Sequence, residues 1–252
     1  FLLATKPTLI INTAAYTAVD KAESEFKKAY LVNQEGIENI AKFSRPFNIP
    51  IIHFSTDYVF DGNSRLAYLP SDKTNPQSIY GKSKLAGEHF LASHSDHYMV
   101  IRTSWVFSEY GHNFLKSMLN LSMAQETLRV VSDQFGTPTY AGHLARVIAS
   151  IAPRIIGNNF SNGIYHFGGD EVCSWYDFAV EICDAAFRKK IISRVPEIIP
   201  ISSAEFITTA KRPKYSAMNS SKICNEFNVT ESNWRMGISE ALEKIRLSPQ
   251  SF

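Results

Sequence analysis

Short apolar, β-branched runs alternate along the chain with longer stretches of helical periodicity. Strands are predicted at residues 9–12, 50–55, 98–103 and 128–131, with a later one at 163–167. Residues 20–43, 76–94, 113–124, 142–151 and 175–188 carry apolar positions at helical spacing, and 239–246 reads as a final amphipathic helix. Strands alternating with helices are the pattern of βαβ units and a parallel sheet. The central runs, Ile51-Ile52-His53-Phe54 among them, lack polar alternation, as expected for strands covered by helices on both faces. After about residue 190 the pattern loosens, with Pro196, Pro200 and Pro213 interrupting it. The reading is an α/β protein with a doubly wound parallel sheet over residues 1–150. A smaller, more irregular part covers 151–252, and the chain crosses between the two.

Composition narrows the classes without naming one. A chain of 252 residues, 44% hydrophobic and 20% charged, is an ordinary globular protein rather than a disordered, collagenous or coiled-coil one. With 26 basic and 24 acidic side chains the net charge is +2, which gives no warrant for nucleic-acid or anionic-membrane partners. No apolar stretch approaches the ~18 residues of a membrane span. Cys173, Cys183 and Cys224 form no C-x-x-C and no Cys/His cluster. That argues against a disulfide framework or structural zinc and for a reducing, cytoplasmic setting. The opening Phe1-Leu2-Leu3-Ala4 lacks the basic flank and length of a signal peptide. The first residue is Phe rather than Met and a strand-like run follows at once, so an upstream piece is expected to be missing.

Two segments carry candidate chemistry. In Tyr80-Gly81-Lys82-Ser83-Lys84, Tyr80 and Lys84 stand four apart and share a helix face. Asn75-Pro76 is expected to open that helix as N-cap and first residue. A lysine ammonium beside a tyrosine favours phenolate, so the Tyr80 pKa is expected to fall from about 10 toward neutrality, suiting proton transfer to a carbonyl. The second segment is the apolar run that ends in Ser55-Thr56-Asp57. Ligands of open α/β sheets sit beyond the carboxyl ends of the strands, where these hydroxyls and this carboxylate lie. Thr56 is placed to donate to the same carbonyl oxygen as Tyr80. The scattered His53, His112, His143 and His166 show no metal-ligand spacing and read as structural.

Ser55-Thr56-Asp57-Tyr58-Val59-Phe60-Asp61-Gly62 followed by Tyr80-Gly81-Lys82-Ser83-Lys84 resembles the extended short-chain dehydrogenase/reductases, and more narrowly the dTDP-4-dehydrorhamnose reductase family. Ile11 to Glu23, Arg102 to Phe107, Val131 to Thr139 and Arg212 to Ser216 are similar as well, so the resemblance covers essentially the whole chain. It implies a Rossmann-like dinucleotide-binding domain over 1–150 and a mostly substrate-binding part over 151–252. It also implies an NADPH- or NADH-dependent reduction of the C4 ketone of a dTDP-sugar. By the resemblance, Thr56, Tyr80 and Lys84 are catalytic, and Ala15, Tyr16 and Thr17 join Tyr80 and Lys84 at the cofactor. Thr56, Asp57 and Trp105 fall on substrate contacts. Asn33 matches a helix asparagine that supports the site in some relatives. The basic residues Arg188, Lys189, Lys190, Lys211 and Arg212 read either as a diphosphate contact or as solvated charge.

The family begins with a strand, a glycine-rich turn and a helix that holds the cofactor pyrophosphate. No such run occurs among the twelve glycines here, so the chain reads as an N-terminally truncated member. Some members dimerise around magnesium held by acidic side chains. That resemblance carries a homodimer and Mg2+ here as expectations, though the sequence shows no carboxylate cluster. A second reading comes from the same subfamily: a non-catalytic regulatory subunit similar to the methionine adenosyltransferase β subunit. An intact Thr56/Tyr80/Lys84 set favours the enzyme, because a binding subunit has no need of it.

Overall fold

The computed structural model describes residues 2–247. Four strands form one parallel sheet in the order Ile10–Asn12, Ile51–Thr56, Tyr98–Thr103, Gly163–His166. Side-chain alternation splits that sheet into two differently covered faces. Ile10, Ile51 and Val100 point to one face, where they pack with Ile37 and Ala41 of the helix Gly36–Ser44 and Leu91 of the helix Ile79–His94. Ile52, Met99, Ile101 and Tyr165 point to the other, against Leu144, Ile148 and Ile151 of the helix Ala141–Ile156 and against Ser221–Phe227. His53 pairs in register with Asn12 and Val100, so it shares the face of the Ile79–His94 helix. That parity later decides what it touches.

A second core lies off the end of the sheet. Phe178 of Trp175–Arg188, Leu115 and Leu119 of Phe114–Ala124, and Trp234 and Ile238 of Trp234–Leu247 are its buried centre. Each such large apolar side chain contributes about 1.5–3 kcal/mol by leaving water. Trp175–Arg188 starts on a reciprocal cap, in which Ser174 Oγ accepts from Asp177 N and Asp177 Oδ2 accepts from Ser174 N.

Several predicted elements shift. The strand Thr127–Val131 is not in the main sheet; it pairs only with Glu197–Ile201, a strand the loosened pattern concealed. Pro200 fits there because this two-stranded sheet leaves an edge where its missing N–H is not required. The expected helix over 20–43 is broken into Val19–Ala22, Phe26–Tyr30, a five-residue π-helical turn at Leu31–Glu35, and Gly36–Ser44. The helix predicted from Pro76 begins at Ile79, capped by Ser78, whose hydroxyl accepts from Gly81 N at 3.1 Å. Asn75 is drawn elsewhere, its N–H donating to Val59 O at 2.9 Å. Ser221–Phe227 carries no periodic signal long enough to have been read. Among the described residues, no helix is long and apolar enough to cross a membrane.

Candidate active site

Thr56 closes the strand Ile51–Thr56 and caps the 3-10 turn Asp57–Val59; its Oγ accepts from Tyr58 N at 3.2 Å and donates to Asp57 Oδ1 at 3.0 Å. The Ile79–His94 helix rests directly on this turn. A Cβ on Gly81 would stand 2.2 Å from Tyr58 O, so only glycine allows the approach. The contact sets Tyr80 edge-on to Tyr58, ring centroids 5.6 Å apart. One turn on, Lys84 is 2% exposed and its ammonium nitrogen donates to Phe54 O at 2.6 Å. That nitrogen also lies 3.3 Å from His53 Nε2, while Asn12 Nδ2 meets His53 Nδ1 at 3.0 Å.

Asn33 sits in the π-helical turn, an irregularity often found at functional sites. Its Oδ1 accepts from Tyr16 N at 2.8 Å, and its Nδ2 donates to Tyr16 O at 3.1 Å and to Ser83 Oγ at 2.9 Å. One buried side chain thus fastens the turn carrying Ala15, Tyr16 and Thr17 to the helix carrying Tyr80 and Lys84. The carbonyl of Asn33 is pressed so near the helix that a Cβ on Gly87 would come within 2.3 Å of it.

Burial dominates the electrostatics. It raises the Tyr80 pKa to about 12, Asp57 pushes the same way, and a hydrogen bond with Thr56 opposes both. The expected lowering by Lys84 is therefore corrected. Lys84 directs its nitrogen to Phe54 O and His53 rather than to the phenol, and burial depresses its own pKa to about 8 against an opposing pull from Glu88. His53 is held well below the usual histidine range by burial and by Lys84. Asp57 is raised to about 6 by burial, hydrogen bonds from Ser216 and Thr56 pulling down. Behind Lys84, Glu88 takes both the Nε and Nη2 of Arg102, at 3.0 and 2.7 Å, in a pair almost wholly out of water.

These side chains open on a cavity of about 850 Å3 at the carboxyl ends of the strands. Thr56, Asp57, Tyr80, Lys84, Trp105, Ala15 and Thr17 all line it; Tyr16 does not, its hydroxyl donating to Glu25 at 3.2 Å on the surface. Leu144, Ala145, Ile148 and Ala149 form an apolar wall that no sequence motif marked. Trp105 has a left-handed backbone, φ 48°, and lies flat on Trp175 with centroids 3.5 Å apart. Gly136 permits this pose, since a Cβ there would fall 2.6 Å from the Trp105 ring. The motif beginning at Asp133 is tied to the segment that follows Glu197–Ile201: Asp133 Oδ1 accepts from Ser203 N and Oγ at 2.8 and 2.6 Å.

The cavity fits a nicotinamide group. Its size lies in the ordinary ligand-pocket range, its walls are mostly apolar, and its polar groups are few and convergent. Two of its buried hydroxyls, Ser55 Oγ and Thr103 Oγ1, have no partner among the described residues. A second cavity, of about 920 Å3 around His143, Arg146, Asp170 and Glu231, holds none of the candidate residues, and its His143 and Arg146 both bond Glu240. The basic candidates lie outside the site cavity: Arg188 pairs with Glu181, Lys189 with Glu243 and Arg212 with Asp20. Among the described residues no group of three or more His, Cys, Asp or Glu converges on a metal position.

A parallel sheet with helices on both faces, a Tyr/Lys helix beneath the strand ends and a cavity above them define the class of extended short-chain dehydrogenase/reductases. The match to the RmlD substrate binding domain family runs over residues 1–247, and the chain belongs to that family, the dTDP-4-dehydrorhamnose reductases. It is 45% identical over 242 residues to the dTDP-4-dehydrorhamnose reductase of Aggregatibacter actinomycetemcomitans, covering 96% of this chain and 81% of that one. The crystal structure of a dTDP-4-dehydrorhamnose reductase from Clostridium acetobutylicum superposes with a TM-score of 0.88 at 38% identity, over 98% of this chain and 84% of that one. A second, from Bacillus anthracis in complex with NADP, gives 0.86 at 35% identity, over 96% and 83%.

Proposed function

We propose that this protein reduces the C4 ketone of dTDP-4-dehydro-L-rhamnose to dTDP-L-rhamnose with NADPH or NADH. The observation that carries the reading is the meeting of Thr56, Tyr80 and Lys84 at one cavity, in a chain whose relatives bear this activity in their names. The NADP-bound relative supports NADPH as the donor. The bound nicotinamide supplies the hydride that C4 receives. Tyr80, kept protonated by its burial, donates its phenolic proton to the C4 oxygen, so the carbonyl becomes an alcohol and Tyr80 is left as phenolate until solvent returns the proton. Thr56 turns its one hydroxyl proton from Asp57 Oδ1 to the same oxygen. Lys84 is placed to reach the nicotinamide ribose, with Ala15 and Thr17 along the cofactor's edge and Tyr16 holding their turn through Asn33. Asp57 and Trp105 face the sugar, Trp105 with its ring plane.

The same reading puts the cofactor beside residues 1–150 and most of the sugar nucleotide beside 151–252, in the cytoplasm, where Cys173, Cys183 and Cys224 stay free thiols. It includes a homodimer, read by light scattering at assay concentration. Magnesium is left out, since no acidic cluster among the described residues supports it. The convergence at the cavity favours an enzyme over a regulatory subunit. The test is the fall of reduced-nicotinamide absorbance when dTDP-4-dehydro-L-rhamnose is added. Turnover is expected with this ketone; cofactor binding without any turnover would favour the regulatory reading.

A further inference from the structure

Two of the stretches shared with the family meet outside the cavity: the end of Ile11 to Glu23 and the start of Arg212 to Ser216. Asp20 Oδ1 accepts from Ala210 N at 2.9 Å and from Arg212 Nη1 at 3.2 Å, and Asp20 Oδ2 accepts from Arg212 Nη2 at 2.7 Å. Three donors of one C-terminal segment thus converge on a single carboxylate just past the turn of Ala15, Tyr16 and Thr17. The arginine presents two parallel N–H groups, the fork that suits a carboxylate. Three residues on, Glu23 Oε1 accepts from Ile79 N at 2.8 Å, one of the orphan donors that open the Tyr80 helix.

From Arg212 the contacts run on into the site. Its guanidinium lies against the Tyr58 phenol, and Tyr58 stands edge-on to Tyr80. Four residues further, Ser216 hydrogen-bonds the Asp57 carboxyl. The chain between is stiff. Pro213 fixes its own φ and packs so closely on Gly62 that a Cβ there would fall 2.5 Å from the Pro213 Cβ. Lys214 O accepts from Phe135 N at 2.8 Å, Tyr215 N donates to Gly62 O at 3.2 Å, and Ser216 N donates to Phe135 O at 2.8 Å. A displacement at Arg212 is therefore passed on to Ser216 rather than absorbed.

We propose that Asp20 and Arg212 form a clasp that sets the sugar-facing residues Asp57 and Tyr58 from the cofactor-side turn, both being positioning residues for the sugar nucleotide, a role that rests on the reading of Asp57 as a sugar contact. Neither side chain lines the cavity, so they act through Ser216 and Tyr58. Arg212 is then neither a diphosphate contact nor a solvated charge. The two side chains are 22% and 42% exposed, and an ion pair so open to water adds little to folding stability. What the clasp supplies is alignment. Through Asp20 the C-terminal part is held against the same short segment that Glu23 ties to the Tyr80 helix.

Asp20→Asn keeps an acceptor for Ala210 N but sets an amide N–H against Arg212, and Arg212→Gln breaks the fork from the other side. Each should raise KM for dTDP-4-dehydro-L-rhamnose about tenfold while kcat falls by no more than about threefold, and the double variant should be no worse than either single one. Both should melt with the native protein. Amide hydrogen exchange of the unliganded full chain reads the same claim without turnover. Asp20→Asn should speed exchange about tenfold at Ala210 and also at Ser216 and Tyr58, leaving the helix Ala141–Ile156 as it was. Faster exchange confined to Ala210, an unchanged KM, or losses that add in the double variant would make the pair an ordinary surface contact and overturn the clasp. A native protein inert toward the ketone, with exchange altered at all three amides, would refute the reductase reading and leave the clasp standing.

Discussion

Lys84 is a cation placed where water is nearly absent, and that placement has a thermodynamic signature. Its folded pKa, about 8, lies under the unfolded value of 10.5. Between those two values the unfolded chain holds the extra proton, so stability rises as pH climbs through the interval; below it the cost is fully present. A displacement of this size is on the order of 3 kcal/mol, offset in part by the bond to Phe54 O, worth about 1 kcal/mol. Lys84→Met is therefore expected to be inactive yet to melt higher than the native protein at pH 7, and to lose that advantage by pH 10.5. Urea melts across this range check it; a native protein more stable at pH 7, with a gap flat in pH, would refute it. The Tyr80/Lys84 pair was legible because both side chains sit on one helix at a fixed spacing. His53 was not legible as a site residue, and Asn33 was legible only through the resemblance, not from its own position. A lone polar residue in an apolar strand or broken helix declares itself only when another element meets it, and here those are Lys84, Tyr16 and Ser83.

At the scale of elements, close backbone approach matters more than helix propensity. Gly81 and Gly87 let the Ile79–His94 helix touch Tyr58 O and Asn33 O, and both contacts aim Tyr80. Gly81→Ala is predicted to cost about 1–3 kcal/mol by overpacking and to lower kcat by roughly a hundredfold through an ångström-scale displacement of the phenol. Gly36→Ala is the control: its nearest heavy atom would be 3.8 Å away, and a better helix former there should leave both stability and turnover intact or slightly improved. Equal losses in the two variants, by thermal melt and steady-state rate, would contradict this. The main-sheet strands were legible from their unbroken apolar runs. Glu197–Ile201 was not, because Pro200 disguises it. The helix start fell to Ser78 rather than Asn75 because the Ser78 hydroxyl accepts from Gly81 N, while the Asn75 side chain is turned to Asp61.

At the scale of the molecule, the site is a cleft between the sheet and the second core, and Trp105 is the side chain that spans it. It lies on Trp175, against Gly136 and on the cavity wall, held in a backbone conformation that costs a tryptophan energy. Trp105→Ala should raise KM for the sugar nucleotide about tenfold, near 1.4 kcal/mol, while kcat falls less; a kcat loss with KM unchanged would place Trp105 outside the substrate site. The alternation of strands and helices made the sheet and its two coverings readable in advance. The cleft was not, because its apolar wall from Leu144 to Ala149 looks in sequence like any buried helix face.

The central claim is that Tyr80 gives the proton that turns the ketone into an alcohol. Tyr80→Phe, compared with the native protein for kcat with dTDP-4-dehydro-L-rhamnose and for cofactor binding by fluorescence titration, tests it most directly. The phenol's loss should lower kcat by 10^2–10^4 and leave cofactor affinity within a factor of about three, or 0.7 kcal/mol. Turnover that survives in Tyr80→Phe would contradict the account.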